Sequence, residues 1–238
     1  MRKRMVILFA IILLLAETFA GCRMERAWDP GECVKAVDVS SWNEKVDWKK
    51  VREQDINYAM IKIGSGAKNG GEYHEDRYFK RNYKKGVHYG MNLGVYFYSY
   101  ATTVEEAKQE AKDCLAILEK YKIRPENLTM PVAFDVEEAD TLSTGRDLVT
   151  DMTIAFCEEI KAAGYTPMIY ANAQTLNWKF HYRKIKNYKI WVAHYGVEKP
   201  EWAHPYAMWQ YTEKGSVEGA NTDRGICDLN YYIVEEMQ

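Results

Sequence analysis

Features that bind metals, nucleotides or nucleic acids are scarce in this sequence. Its five cysteines and five histidines include no Cys-x-x-Cys pair and no histidines at the spacing of zinc ligands, so we expect no metal site. The glycine and lysine spacing of the nucleotide-binding loops is also absent, and we expect no cofactor. A net charge of −2 provides no excess of positive charge for a nucleic acid. The lack of internal repeats and low-complexity tracts excludes a repeat array.

Long hydrophobic runs are equally rare, and the one at residues 5–16 lies close to the N-terminus. It is shorter than the ~20 residues that span a bilayer. It follows three basic residues and is followed by small ones, which predicts a secretory signal peptide over residues 1–21. The sequence Phe19-Ala20-Gly21-Cys22 resembles a bacterial lipobox, so we expect export, cleavage before Cys22 and a lipid on Cys22 that anchors the protein to a membrane. Ordinary cleavage after Ala20, which leaves Cys22 as a plain thiol, is the alternative.

The other four cysteines, Cys33, Cys114, Cys157 and Cys227, are widely spaced. Export permits disulfides, but Cys114 and Cys157 lie on apolar faces of predicted helices, where buried thiols are common. The pairing of these cysteines therefore stays open.

Strands that alternate with amphipathic helices predict one α/β domain over residues 34–238, preceded by a short tether at 22–33. In the first half of the domain each strand is followed by a helix, which is the pattern of a parallel sheet. The predicted strands there are 34–40, 58–64, 94–100, 131–137 and 166–172, and the predicted long helices are 48–54, 77–86, 104–121 and 146–163.

The second half of the domain has a different pattern. One short helix at 174–178 is followed by strands at 189–194, 207–212 and 225–231, without long helices between them. Eight strands with their helices mainly in the first half predict a closed but irregular TIM-like barrel. An open doubly wound sheet is the alternative, although such a sheet would be expected to keep its helices to the end.

Carboxylates at strand ends are the strongest chemical feature of the sequence. Asp135 and Glu137 alternate with apolar residues, so both acids point the same way, ~6–7 Å apart along one strand. Asp38 ends the first strand and Asp228 belongs to the last, and these two strands are neighbours in a closed barrel. Barrels of this kind build their sites at the carboxyl ends of the strands. We therefore expect the four acids to converge at one mouth of the barrel.

Crowded carboxylates favour proton transfer. Like charges in a cleft raise some pKa values, so one acid can stay protonated near neutral pH and serve as a proton donor. Protonation of a glycosidic oxygen needs such an acid beside a carboxylate. Acids at barrel mouths also bind metals or sugars without cleavage, so the spacing alone leaves both catalysis and binding open.

Several short motifs, each weak alone, follow one another between residues 34 and 233. They include Val37-Asp38-Val39-Ser40, Val46-Asp47-Trp48, Ile61-Lys62, Asp135-Val136-Glu137, residues 164–170, Trp191-Val192-Ala193, Trp209-Gln210-Tyr211-Thr212 and Asp228-Leu229-Asn230. In this order and spacing the sequence resembles the family 25 glycoside hydrolases, the muramidases related to phage and Chalaropsis-type lysozymes. One departure is Gly64-Ser65-Gly66, where many relatives carry Thr-Glu-Gly.

The resemblance implies an irregular (β/α)5(β)3 barrel that hydrolyses the β-1,4 bond between N-acetylmuramic acid and N-acetylglucosamine in peptidoglycan. It implies Glu137 as general acid and base, Asp135 as the residue that orients the substrate's N-acetyl group, and Asp38 and Asp228 as the rest of the acidic cluster. We expect a substrate-assisted mechanism, with inversion as the runner-up, in a monomeric enzyme. A non-catalytic glycan-binding barrel and a hydrolase of another N-acetylated glycan are the alternatives.

Aromatic side chains are candidates for sugar binding, because the flat faces of sugar rings stack on them. Packing in the core is an equal alternative for each of them. Tyr96, Tyr170 and Gln210 also match the family pattern. Lys62 either pairs with the acidic cluster or lies at the rim. The substrate-binding candidates are Lys62, Tyr96, Tyr98, Tyr170, Trp191, Tyr195, Trp209 and Gln210.

Overall fold

The computed structural model describes residues 33–68 and 71–234. The predicted signal peptide, Cys22 and all of the tether except Cys33 lie outside these residues. Within the described part of the chain, no helix is both long and apolar enough to cross a membrane.

A closed ring of eight strands forms the centre of the domain, as the sequence predicts. The strands of the sheet are β1 (Cys33–Val39), β2 (Tyr58–Ser65), β3 (His74–Glu75), β4 (Asn92–Tyr98), β5 (Val132–Asp135), β6 (Pro167–Asn172), β7 (Lys189–Ala193), β8 (Met208–Gly215) and β9 (Cys227–Ile233). The ring follows chain order and closes where β9 pairs with β1, while β3 pairs only with the end of β2. Barrel neighbours are parallel except at β9, which is antiparallel to both β1 and β8.

Helices pack against the outer face of the barrel. They are α1 (Trp48–Arg52), α2 (Phe79–His88), α3 (Val104–Lys120), α4 (Ala139–Ser143), α5 (Arg146–Ala162), α6 (Ala173–Lys179) and α7 (Tyr182–Ile185). A capping box begins α3, because the Thr103 hydroxyl accepts from the Glu106 amide and the Glu106 carboxylate accepts from the Thr103 amide, each at 3.2 Å. The hydrophobic periodicity of the sequence does not predict β3, α4 and α7, since elements this short have no measurable periodicity.

The buried apolar side chains form two layers, because side chains alternate along the strands. The outer layer lies between the strands and the helices, and the inner layer lies inside the ring. In the outer layer, Phe134 on β5 stacks on Phe156 of α5 with ring centroids 4.1 Å apart. In the inner layer, Met60, Met168 and Trp191 are buried inside the ring. The barrel interior is therefore a packed core and not a channel.

The described cysteines are all free thiols. Cys33 is exposed, whereas Cys114, Cys157 and Cys227 are buried. Cys114 on α3 and Cys157 on α5 belong to the outer apolar layer, in agreement with their predicted places on apolar helix faces.

Two strands end two residues earlier than the sequence predicts. β4 stops at Tyr98 and β5 stops at Asp135, so Glu137 lies two residues beyond its strand. The alternation of side chains nevertheless continues, because the Val136 amide still donates to the Tyr170 carbonyl at 3.0 Å. Val136 is buried in the outer layer, and Glu137 faces the mouth of the barrel.

Candidate active site

The four predicted acids surround one cavity of about 230 Å³ at the mouth of the barrel, which we call the acidic cavity. Asp38 lies near the end of β1, and Asp135 is the last residue of β5. Asp228 is near the start of β9, but β9 is antiparallel, so its start lies at the same mouth. The cavity is lined by Asp38, Tyr96, Asp135, Glu137, Tyr170, Trp191, Tyr195, Gln210, Glu213 and Asp228.

Asp38 and Asp228 form a pair across β1 and β9. They are direct partners in the strand register, and their side chains are hydrogen-bonded to each other. Burial, followed by the charge of Asp38, raises the pKa of Asp228 to about 8. The pair therefore holds a shared proton at neutral pH.

The Asp38 carboxylate is also bound by two amide side chains. Its Oδ2 accepts from Gln210 Nε2 at 2.9 Å and from Asn230 Nδ2 at 2.7 Å. Gln210 Oε1 accepts in turn from the hydroxyls of Tyr170, at 2.8 Å, and Tyr195, at 2.7 Å. Burial raises the pKa of Asp38, but the hydrogen bonds from Asn230 and Gln210 oppose this rise because they stabilise the ionised form.

Asp135 and Glu137 form a second acidic pair in the cavity. Asp135 is buried, and its Oδ1 has no hydrogen-bond partner among the described residues. Burial and then the charge of Glu137 raise the pKa of Asp135 well above its ordinary value. Desolvation also raises the pKa of Glu137, although its side chain remains open to solvent, and the charge of Lys62 opposes both rises.

Three predicted binding residues lie away from the cavity lining. The Lys62 ammonium lies over the ring of Tyr98, 4.6 Å from the centroid, and the Tyr98 hydroxyl donates to Glu138 Oε2 at 2.8 Å. These two residues therefore form the rim and support the segment that follows Glu137. Trp209 points to the outer face of β8, where its indole donates to the His194 carbonyl at 2.9 Å. The other five candidates line the cavity.

The structure adds residues that were not among the sequence candidates. Asn230 is fully buried, and besides binding Asp38 it accepts a hydrogen bond from Trp191 Nε1 at 2.8 Å. Glu213 lines the cavity, and its charge contributes to the raised pKa of Asp228. Strand alternation could have identified Asn230, because it lies two residues after Asp228 and so on the same face.

Comparison with known proteins places this chain among cell-wall lytic enzymes. It is 28% identical over 212 residues to the uncharacterized protein YegX of Escherichia coli K12, across 86% of this chain and 72% of YegX. It is 26% identical over 214 residues to lysozyme M1 of Streptomyces globisporus, across 84% and 69% of the two chains. The structure of the modular autolysin LytC of Streptococcus pneumoniae with a synthetic peptidoglycan ligand superposes with a TM-score of 0.72 at 26% identity, over 84% of this chain and 47% of LytC.

The family match covers most of the barrel. Residues 37–220 match the family described as Glycosyl hydrolases family 25, a range that includes Asp38, Asp135 and Glu137 and ends before Asp228. The eight-stranded ring of the structure agrees with this match. The protein therefore belongs to glycosyl hydrolase family 25 and is a glycoside hydrolase.

Proposed function

We propose that the protein is an N-acetylmuramidase, a lysozyme that hydrolyses the β-1,4 bond between N-acetylmuramic acid and N-acetylglucosamine in peptidoglycan. The observation that carries this proposal is the convergence of Asp38, Asp135, Glu137 and Asp228 on one cavity of a family 25 barrel. Two similar proteins support the substrate, since one is named a lysozyme and the structure of the other is a complex with a synthetic peptidoglycan ligand.

Glu137 is the proton donor in this proposal. The raised pKa of Glu137 favours its protonated form, and its exposure at the mouth lets it reach a bound glycan. It transfers its proton to the glycosidic oxygen as the acetamido oxygen of the substrate attacks the anomeric carbon. The resulting Glu137 carboxylate then removes a proton from the water that opens the intermediate, which restores the protonated acid.

Asp135 orients the acetamido group. Its Oδ1 is buried without a partner in the described protein, so the N–H of the acetamido group can supply the missing hydrogen bond. This hydrogen bond directs the acetamido oxygen toward the anomeric carbon. The Asp38–Asp228 pair completes the negative potential of the cavity, which stabilises the positive charge that develops on the sugar ring.

The Glu137→Gln variant tests the assignment of the proton donor. We expect at least ~100-fold slower release of reducing ends from purified peptidoglycan, with an unchanged circular dichroism spectrum. Glu53→Gln is the matched control, because Glu53 pairs with Lys49 at 3.9 Å on the surface and does not line the cavity. Wild-type activity in Glu137→Gln would reject the assignment.

Product analysis separates the alternative functions and mechanisms. Fragments with a reducing N-acetylmuramic acid end support a muramidase, whereas other reducing ends indicate a hydrolase of another N-acetylated glycan. Binding of peptidoglycan without any product would indicate a non-catalytic barrel. Early proton NMR spectra of the products distinguish the substrate-assisted route, which retains the anomeric configuration, from inversion by a water that one Asp activates.

We also propose that the protein is exported and acts at the cell wall as a monomer, anchored by a lipid on Cys22. The sequence of residues 1–22 supports export and anchoring. Mass spectrometry of the mature N-terminus tests the lipid, and an unmodified chain that begins at Gly21 would contradict it. Sedimentation of the enzyme tests the oligomeric state.

A further inference from the structure

A second groove, of about 390 Å³, lies beside the acidic cavity at the same mouth, and we call it the side groove. The segment that follows β1, the end of β2, β3 and the turn after β3 form it. Its lining includes Trp42, Lys62, Ser65, His74, Asp76 and Arg77. Lys62 connects the two regions, because its charge acts on both Asp135 and Glu137.

Trp42 is an exposed aromatic side chain on a firmly held backbone. Its side chain is 75% exposed, and it lies in a 3-10 helix, Ser41–Asn43, that is capped by Ser40. The Ser41 amide donates to Asp76 Oδ2 at 2.7 Å, and Asn43 Nδ2 donates to the Ala220 carbonyl at 2.7 Å. The ring is therefore held on a preorganised turn while its face stays free, which is what stacking on a sugar requires.

The carboxylates that line the side groove already have hydrogen-bond partners within the protein. Glu75 accepts from Lys120 Nζ at 2.6 Å and from the Tyr121 hydroxyl. Asp76 accepts from the amides of Ser41 and Tyr78. Two cationic side chains, Lys62 and Arg77, also line the groove. Arg77 is exposed, and its guanidinium lies over the ring of Tyr78, 5.1 Å from the centroid.

Gly64 lies in the wall of the side groove. A Cβ on Gly64 would lie 2.6 Å from the His74 carbonyl oxygen, because β3 pairs closely with β2 at this position. The glycine therefore lets β3 lie against the end of β2, which places His74 at the groove.

We propose that the side groove is a subsite for a sugar that carries a carboxylate, with the ring stacked on Trp42 and the carboxylate bound by Arg77 and Lys62. In glycan strands from which the stem peptide has been removed, this sugar is N-acetylmuramic acid, whose lactyl ether then ends in a free carboxylate. The inference rests on the proposed function, and it adds the residues that select the acidic sugar outside the acidic cavity. Arg77 suits this role because a guanidinium binds a carboxylate through two parallel hydrogen bonds.

Binding to the Glu137→Gln protein tests the subsite separately from cleavage. The ligands are peptide-free glycan strands with free lactyl carboxylates and the same strands after amidation of those carboxylates, both titrated by calorimetry. We expect Trp42→Ala in this background to weaken binding of both ligands about tenfold. Arg77→Gln should weaken binding of the free-carboxylate strands alone, about fivefold.

Trp178→Ala is the matched control, since Trp178 is 71% exposed on α6 and lines neither cavity. Its binding should equal that of the parent, and Trp42→Phe should restore most of the loss in Trp42→Ala. Unchanged binding in Trp42→Ala, or an equal effect of Arg77→Gln on both ligands, overturns the subsite. Release of reducing ends by the wild-type enzyme is measured in parallel, so failure of the subsite is distinguished from failure of the proposed function.

Discussion

Asp38 on β1 lies directly opposite Asp228 on β9, and the two carboxyl groups share a hydrogen bond at the mouth of the barrel. Burial raises the pKa of both acids, but amide donors oppose this rise at Asp38, whereas the charges of Asp38 and Glu213 add to it at Asp228. The two acids are therefore unequal, because their surroundings favour the ionised form of Asp38 and the neutral form of Asp228. This inequality leads to different expectations for their amide variants.

Asp38→Asn should reduce kcat/KM much more than Asp228→Asn. In Asp38→Asn the charge is lost and the new amide opposes the donors of Gln210 and Asn230, so we expect a loss of about 100-fold or more. Asp228→Asn keeps a neutral donor to Asp38, and we expect a loss within about tenfold. Initial rates of reducing-end release measure both, and equal losses would contradict the assignment of the proton.

The pH profile of kcat/KM should depend on Asp228. Because its pKa is raised to about 8, Asp228 is neutral below this pH and becomes charged above it. The second charge then repels Asp38, so activity should fall as the pH rises through about 8. In Asp228→Asn this part of the alkaline loss should disappear. Superimposable alkaline limbs of the two profiles, measured from roughly pH 5 to 10, would argue against the pair.

Asn230→Ala should alter the acidic limb of the same profile. Asn230 donates to Asp38 and accepts from Trp191, so its removal takes away a hydrogen bond that lowers the pKa of Asp38. The acidic limb should therefore move to higher pH. The unsatisfied Trp191 N–H should also reduce the free energy of unfolding by about 1–3 kcal/mol. Asn92→Ala, at the start of β4, serves as the control and should leave the profile in place.

Glu110 should make stability depend on pH. It is buried on α3, where it accepts from the Ser99 hydroxyl at 2.7 Å and the Tyr100 amide at 2.8 Å. Burial raises its pKa from 4.5 to about 7, so the folded state binds the proton more tightly than the unfolded state. The stability from this group is present below pH 4.5 and is lost as the pH rises to about 7.

The Glu110→Gln variant should lack this pH-dependent loss, which amounts to up to about 3 kcal/mol. Urea unfolding at several pH values, in parallel with the wild type, measures the difference. Glu106→Gln on the same helix is an informative control, because hydrogen bonds, first from the Thr102 amide, lower the pKa of Glu106. That carboxylate should instead contribute stability that is lost as the pH falls. An unchanged pH slope in Glu110→Gln would reject the role of Glu110.

Most of the fold was predictable because it depends on local patterns. Alternation along strands and the periodicity of helices predict the eight barrel strands and the long helices from neighbouring residues alone. The same alternation could have excluded Trp209 from the interior, because Gln210 is the next residue and the two must face opposite sides of β8. Lys62 and Tyr98 illustrate a different limit, since a strand pattern indicates the face of a side chain but not whether a long side chain ends in the cavity or at the rim.

The sequence by itself determined the order of strands and helices, the buried faces, and the acids that lie at strand ends, because these properties follow from residues close together in the chain. Only the tertiary structure decided that β9 enters the ring antiparallel, with Asp228 in register with Asp38, and that Asn230 and Gln210 bind one oxygen of that carboxylate. The register between residues 38 and 228 depends on closure of the whole barrel. The proton shared by the pair is therefore a property of the closed ring, because burial and the opposite carboxylate together raise the pKa of Asp228.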